Sequence, residues 1–275
     1  MAPILSFFLI FTVSLGVGTL LYLYLRRKTR IGSRYLWTDN PAVALTAALS
    51  VFFIMRPHVT GWWLLSFIVL AGLVLYFAFI LTMIRFWRVP HRRVTAGPGQ
   101  IVSPADGRII YIRKLNEGEI PESVKGRRTS RLEELTKTTL LNDGGWHIGI
   151  NMTPFDVHKN CAPIPGEVIL NRHFNGKFLS LKDEASLCEN ERNTWVIANN
   201  EVKVGVVQIA SRLVRRIDAY VREGDTVRQG DWIGMIRFGS QVDVILPPDY
   251  RVNVTAGCQV YAAETIIAER NEDTD

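Results

Sequence analysis

The sequence contains few cysteines, and their spacing excludes two common structural roles. Cys161, Cys188 and Cys258 are an odd number, and none of them forms a CxxC pair. They therefore indicate neither a disulfide framework nor a zinc site, and they suit a reducing compartment. The sequence predicts no metal site.

Acidic residues are nearly absent from residues 1–93, where ten Lys and Arg stand against the single acid Asp39. The formal net charge of +6 belongs to this part, because the remainder of the chain is slightly acidic. Two basic clusters, 26–34 and 85–93, directly follow apolar runs. Basic residues beside apolar runs indicate a membrane segment, so nucleic acid is not expected as a partner.

Charge is missing altogether from two long apolar runs, residues 4–25 and 62–84. At about 1.5 Å per residue, each is long enough to cross a hydrocarbon core of about 30 Å as a helix. A third stretch, 42–55, is apolar for only 14 residues and suits a short or tilted span, a re-entrant piece or an interfacial helix. We favour a span, because three crossings of the cell membrane place both basic clusters on the cytoplasmic side. The rest of the chain is then cytoplasmic too.

Residues 94–275 have a different pattern, with short β-rich runs broken by Gly, Pro, Asn and Asp. This pattern predicts a mainly antiparallel β domain. Two Gly-Asp turns, at Gly224 and Gly230, separate short apolar strands in a rhythm that resembles half of a lipoyl-type barrel-sandwich; a plain pair of hairpins is the alternative. The predicted fold class is α+β, with membrane-anchoring helices in residues 1–93 followed by this β domain.

Three short motifs in the β domain contain residues with chemical potential: SPADG with Asp106, FDVH with His158, and FGS with Gly239 and Ser240. Taken singly, they fit ordinary turns and a structural histidine. In this order, together with MTPFDVHKNCAPIPGEV and VREGDTVRQGDWIGMIRFGSQVDVILP, they resemble the short, prokaryotic-type phosphatidylserine decarboxylases over roughly residues 85–268.

The resemblance implies that Ser240 becomes the enzyme's own cofactor. Ser240 Oγ attacks the carbonyl of Gly239, the chain divides into 1–239 and 240–275, and residue 240 is left as a covalent pyruvoyl group. This group forms a Schiff base with the serine head group of a membrane phospholipid, phosphatidylserine, which loses CO₂ to give phosphatidylethanolamine. Asp106 and His158 are implied as catalytic residues that activate Ser240, and His158 as the proton donor in turnover.

One position departs from the family pattern. Longer members carry a second histidine three residues after the first, where this sequence has Cys161. A neutral thiol is a poorer base than imidazole at pH 7, so either His158 serves both steps or His147, in the run WHIGI, takes part. Cys161 is more simply explained as a small buried residue. If residues 156–158 are extended, Asp156 and His158 lie on one face of a strand.

Two other functions remain open from the sequence. The same self-cleavage could serve another amino-acid-derived lipid, or the chain could be a non-catalytic membrane adaptor in which a lipoyl-like module keeps Gly239-Ser240 as an uncut turn. The sequence also leaves open whether the chain forms a homo-oligomer.

Overall fold

The computed structural model describes residues 2–29, 31–55, 63–115, 136, 138, 141, 144–177, 179, 189–210, 216–237 and 240–271. Within these residues the chain forms three α-helices and fourteen β-strands. It divides into two compact units, Met1–Trp87 and Arg88–Asp275.

The first unit consists of the helices α1 (Ala2–Thr29), α2 (Arg34–Met55) and α3 (Trp63–Trp87). All three are long and apolar enough to cross a membrane. Their facing sides are rich in small and β-branched residues, such as Val43, Ala47 and Val74, which let the helices approach closely. The expectation of apolar N-terminal helices is confirmed.

Helix α2 begins at Arg34, well before the apolar stretch that starts at residue 42. Its first turns contain Asp39 and Asn40, which a search for apolar runs excludes but which are buried here. Asp39 accepts a hydrogen bond from Arg85 Nε at 2.8 Å, and Asn40 Nδ2 donates to Thr19 Oγ1 at 2.9 Å. Because each of these two side chains has a hydrogen-bond partner on a neighbouring helix, the helix extends to a length that suits a full span.

The second unit is built from strands and their connections. The strands are β1 (Gln100–Val102), β2 (Gly107–Leu115), β3 (Gly145–Met152), β4 (Lys159–Cys161), β5 (Gly166–Phe174), β6 (Arg192–Ala198), β7 (Lys203–Ala210), β8 (Arg216–Ala219), β9 (Thr226–Val227), β10 (Trp232–Arg237), β11 (Ser240–Leu246), β12 (Tyr250–Val252), β13 (Gln259–Val260) and β14 (Ile266–Arg270).

These strands form one large and two small sheets, with antiparallel neighbours throughout. The large sheet has the order β13-β2-β3-β11-β7-β6-β5-β9, and the small ones are β1-β14-β12 and β4-β10-β8. Helices followed by an antiparallel β domain confirm the α+β class. The lipoyl-like character of the turns at Gly224 and Gly230 stays a prediction.

Strand β11 lies in the middle of the large sheet, between β3 and β7. Its alternate residues Val242, Val244 and Leu246 belong to the main hydrophobic core, whereas Ile245 packs in a second cluster on the opposite face. A strand that is buried on both faces and paired on both edges is held firmly, so the residue at its start has a defined position.

Candidate active site

The predicted cleavage bond falls between two strands of different sheets. Strand β10 ends at Arg237 in a small sheet, and β11 begins at Ser240 in the large one. Position 240 pairs with Met152 of β3 and Ala210 of β7. Phe238, Gly239 and the side chain of Ser240 lie outside the described part. Cutting the chain before residue 240 therefore separates β10 from β11 without interrupting either strand.

His158 is fully buried directly before β4. Its Nδ1 lies 2.9 Å from the carbonyl oxygen of Asp156. Because a carbonyl oxygen can only accept, Nδ1 carries the proton, and the neutral ring has its lone pair on Nε2. Burial lowers the pKa of His158 to about 4. The hydrogen bond to the Asp156 carbonyl raises this pKa, and the positive charge of Arg88 lowers it further, but burial has the largest effect. At pH 7 the ring is thus neutral, whereas a histidine with the ordinary pKa of 6.5 would be partly protonated.

Residues 154–156 form a turn and β4 begins only at Lys159, so Asp156 and His158 do not share a strand and the condition for their lying on one strand face is not met. Asp156 N donates to Thr153 O at 2.9 Å, and the Asp156 carboxylate accepts from Thr153 N and Oγ1 at 2.8 and 2.7 Å. Burial raises the pKa of Asp156 above its usual value despite these bonds. The Asp156 side chain closes the turn, and its backbone carbonyl orients His158.

Asp106 is fully buried and lies beside this turn, but its carboxylate binds other groups. Arg92 approaches it with two nitrogens, at 2.7 and 2.8 Å. The backbone nitrogens of Ala262 and Val157 complete the set at 2.9 and 3.3 Å. Asp106 therefore joins three segments of the domain, and it reaches the His158 region through the backbone of Val157.

A buried polar chain that no motif indicated connects the His158 segment to the neighbours of position 240. Trp195 Nε1 donates to Gln208 Oε1, and Gln208 Nε2 donates to Asn160 Oδ1, both at 2.8 Å. Gln208 pairs with Val242 of β11, and Asn160 Nδ2 lies 4.0 Å from the sulfur of Met152, the strand partner of position 240. The sequence did not indicate this chain, because Asn and Gln belong to no recognisable catalytic motif here and the three bonded residues come from distant segments.

Neither accessory candidate, Cys161 or His147, has the properties expected of a base that acts at position 240. Burial raises the pKa of the Cys161 thiol to about 12, and its Sγ lies 3.4 Å from Ser103 O, so at neutral pH it is a small protonated core residue. His147 pairs with Ile245, five residues along β11 from Ser240, which is about 17 Å at about 3.4 Å per residue. Its Nε2 lies 2.9 Å from Asp243 Oδ2. The structure thus places His147 well along β11 from position 240.

A surface cavity of about 290 Å³ lies at the other end of β11. It is lined by residues such as Asn199, Glu201, Lys203, Leu246 and Asp249. Its described lining includes Leu246, the last residue of β11, so the cavity lies a full strand length from position 240. In the described part of the chain no group of three or more His, Cys, Asp or Glu side chains is arranged to hold a metal ion.

The chain is similar to known proteins over most of its length. The family profile described as phosphatidylserine decarboxylase matches residues 79–268. A putative archaetidylserine decarboxylase proenzyme of Methanocaldococcus jannaschii is 39% identical over 194 residues, which cover 70% of this chain and 92% of the relative. One of Methanothermobacter thermautotrophicus is 40% identical over 205 residues, covering 72% and 85%. A phosphatidylserine decarboxylase proenzyme of Nitrosomonas europaea is 35% identical over 231 residues, covering 83% and 90%.

These matches confirm the resemblance found in the sequence motifs, and they exclude the non-catalytic adaptor. They cover both the His158 turn and the start of β11, where the structure places the candidate residues. The chain belongs to the phosphatidylserine decarboxylase family, and it is a decarboxylase of phospholipid metabolism made as a proenzyme.

Proposed function

We propose that the chain cleaves itself between Gly239 and Ser240, converts Ser240 into a pyruvoyl group, and decarboxylates phosphatidylserine to phosphatidylethanolamine. The observation that carries this proposal is the position of residue 240 at the start of a central, doubly paired strand. A buried, neutral histidine also supports it. The backbone N–H of Ile236 in β10 donates a hydrogen bond to His158 O, so His158 adjoins the strand that leads to the proposed cleavage bond.

In the self-cleavage step His158 is the base. Its Nε2 lone pair takes the Ser240 hydroxyl proton while Oγ attacks the Gly239 carbonyl carbon, so that an ester replaces the amide bond. Elimination then breaks the ester and leaves dehydroalanine at position 240. Water converts this residue to pyruvoyl with release of ammonia. Glycine at 239 favours the attack, because it has no Cβ to block the approach of the hydroxyl.

The residues present fit a pyruvoyl group at position 240. Its neighbours on the two flanking strands, Met152 and Ala210, are buried and uncharged, and the group is uncharged as well. Once formed, its ketone supplies an electron sink for the electron pair released with CO₂. His158 then returns a proton to the substrate carbon. Because its pKa is near 4, the resting ring is neutral at pH 7 and readily releases any proton that it accepts. The proton that His158 donates is therefore one that it accepts earlier in the same reaction cycle.

The substrate is a serine phospholipid in the membrane. Relatives named for archaetidylserine and for phosphatidylserine both match the chain well, and their names share the serine head group. The archaeal relatives therefore make archaetidylserine a second candidate substrate. Vesicles that contain one lipid or the other, assayed for released CO₂ with the same enzyme, distinguish the two.

We place the enzyme in the cell membrane with its β domain on the cytoplasmic side. Three helices of sufficient length and the basic clusters 26–34 and 85–93 support this topology. The partners are the membrane lipid and the two chains of the cleaved enzyme; nucleic acid is not expected, and a homo-oligomer stays an open prediction.

The cleavage proposal is tested with Ser240→Ala, which removes both the attacking oxygen and the source of the ketone. We expect one uncut chain and no decarboxylation. The wild-type protein should yield the chain 240–275, and its mass should be lower than that of a serine-terminated fragment by one ammonia. A serine N-terminus on this fragment, or cleavage of Ser240→Ala at the same bond, contradicts the proposal.

A further inference from the structure

A buried polar cluster lies on the face of the large sheet opposite to that of position 240. Its members are Tyr111 of β2, His147 of β3, and Gln241 and Asp243 of β11. His147, Gln241 and Asp243 are at most 2% exposed. None of these residues has a role in the proposed chemistry, and two of them follow residue 240 by only one and three positions.

The cluster is connected by short hydrogen bonds that converge on the Asp243 carboxylate. Tyr111 OH and His147 Nε2 both lie 2.9 Å from Asp243 Oδ2. Gln241 Nε2 donates to Asp243 Oδ1 at 2.7 Å and to Tyr111 OH at 2.8 Å. Burial, and next the Asp243 charge, raise the pKa of Tyr111 well above its usual value, which keeps the phenol protonated as a donor.

The sheet is adapted to let Tyr111 reach Asp243 across the intervening strand. Tyr111, Gly149 and Asp243 form one row over β2, β3 and β11. An irregularity after Ile109 places Tyr111 opposite Gly149, and a Cβ on Gly149 would lie 2.4 Å from the Tyr111 ring. The phenol thus lies over a residue that has no side chain.

Hydrophobic burial alone does not fix the position of β11 along its neighbours. Alternation decides which face points to the main core, but a shift of two residues keeps that choice. Such a shift places Val244 and Leu246 where Val242 and Val244 were, so at these two core positions one apolar residue replaces another. On the other face it places Ile245 against the Tyr111 hydroxyl and His147 Nε2, which then lose their acceptor. The polar cluster therefore opposes a shift that the alternation of apolar residues alone does not exclude.

We propose that the Tyr111–His147–Gln241–Asp243 cluster fixes the register of β11 once the bond before Ser240 has been cut. This inference rests on the proposed self-cleavage. Before the cut, the covalent link to β10 restrains the strand; afterwards that restraint is gone and the cluster takes its place. A two-residue shift moves residue 240 by about 7 Å, whereas reacting groups must be held about 3–3.5 Å apart. The four residues are positioning residues, and they act on turnover through the strand.

Register can be measured by disulfide trapping between the two chains, in protein whose native cysteines have been replaced. Ile150 pairs with Val242 in the native register and would face Val244 after a shift of two residues. The pair Ile150→Cys with Val242→Cys is the positive control. The pair Ile150→Cys with Val244→Cys reports the shifted strand. After cleavage, either disulfide joins the large and small chains and is visible on a non-reducing gel.

The perturbing substitution is Asp243→Asn, with Tyr111→Phe as a milder second one. In one orientation the Asn NH₂ group faces the donor Gln241 Nε2, and in the other it faces Tyr111 OH and His147 Nε2. Either orientation therefore replaces an acceptor by a donor. We expect normal self-cleavage, a shifted-register disulfide only after cleavage, and a fall of roughly 10- to 100-fold in kcat with little change in KM, from the loss of a buried hydrogen bond. Ile245→Val, on the same strand and face, is the control and should show neither effect.

Three results overturn the proposal. These are the absence of the shifted disulfide in cleaved Asp243→Asn and Tyr111→Phe protein, its equal formation in the uncut Ser240→Ala background, and a block of self-cleavage by Tyr111→Phe. If the wild-type chain itself is never cut, the proposed function fails instead, and that outcome is visible before any variant is compared.

Discussion

The protonation of His158 gives a quantitative expectation for self-cleavage. If neutral His158 is the base, the first-order rate of chain splitting should be constant from pH 8 to about pH 5. It should reach half its maximum near pH 4, the pKa that burial gives this ring. An exposed histidine would give a half-point near 6.5. Replacing His158 by Ala should slow both splitting and decarboxylation by about 10²–10⁴-fold, the usual contribution of a positioned acid or base.

The cause of the pKa shift can be tested with Arg88, whose charge lowers the pKa of His158 less than burial does. Arg88→Gln should move the half-point upwards but not as far as 6.5, and Arg88→Lys, which keeps the charge, is the matched control. The assay is a time course of splitting on denaturing gels at each pH. The unfolded chain binds this proton at pH 6.5 and the folded chain only near 4, so stability falls as the pH decreases, and circular dichroism must confirm folding. A wild-type half-point near 6.5 refutes the reasoning.

Three further predictions concern other residues. Arg92→Ala and Asp106→Ala should each cost about 3–5 kcal/mol in urea unfolding, because either leaves a buried partner charge, while the double variant should cost far less than the sum. A loss of stability in the double variant equal to the sum of the two single losses would show that the pair does not interact. Cys161→Ala should split at the wild-type rate, since the protonated thiol is no base; slow splitting with normal stability would give Cys161 a role. Residues 94–275 should resist protease in intact cells and be digested after lysis; digestion from outside would refute the topology.

The sequence predicted those features whose signal is local. Uncharged runs long enough to span a bilayer correspond to α1 and α3, and short runs between turn residues correspond to antiparallel strands. The start of α2 was missed because Asp39 is stabilised by Arg85, a partner 46 residues away. Burial beside distant segments likewise lowers the pKa of His158, and no motif contains that information.

The candidate site shows the same division. Motif order selected Asp106, His158 and Ser240 as candidates, but the neighbours of these residues depend on pairing between distant strands. Asp106 binds Arg92 and the backbone of Ala262, and His147 is diverted to Asp243, 96 residues away. The turn at residues 154–156 had no clear sequence signal, because Thr153 and Asp156, which close it, are common in many conformations.

The central position of β11 has a consequence for how the enzyme is made. Residues 240–275 contribute β11 between β3 and β7, β13 beside β2, and β14 between β1 and β12, so segments from both sides of the proposed cut interleave. While the chain is whole, these strands assemble within one molecule, at the millimolar effective concentration of a short tether. Two separate fragments have no such advantage, and an inserted central strand cannot leave without breaking the ladders on both its edges. We therefore expect that mixing separately made fragments does not restore the enzyme, and that a molecule must complete its sheet before cutting its own chain.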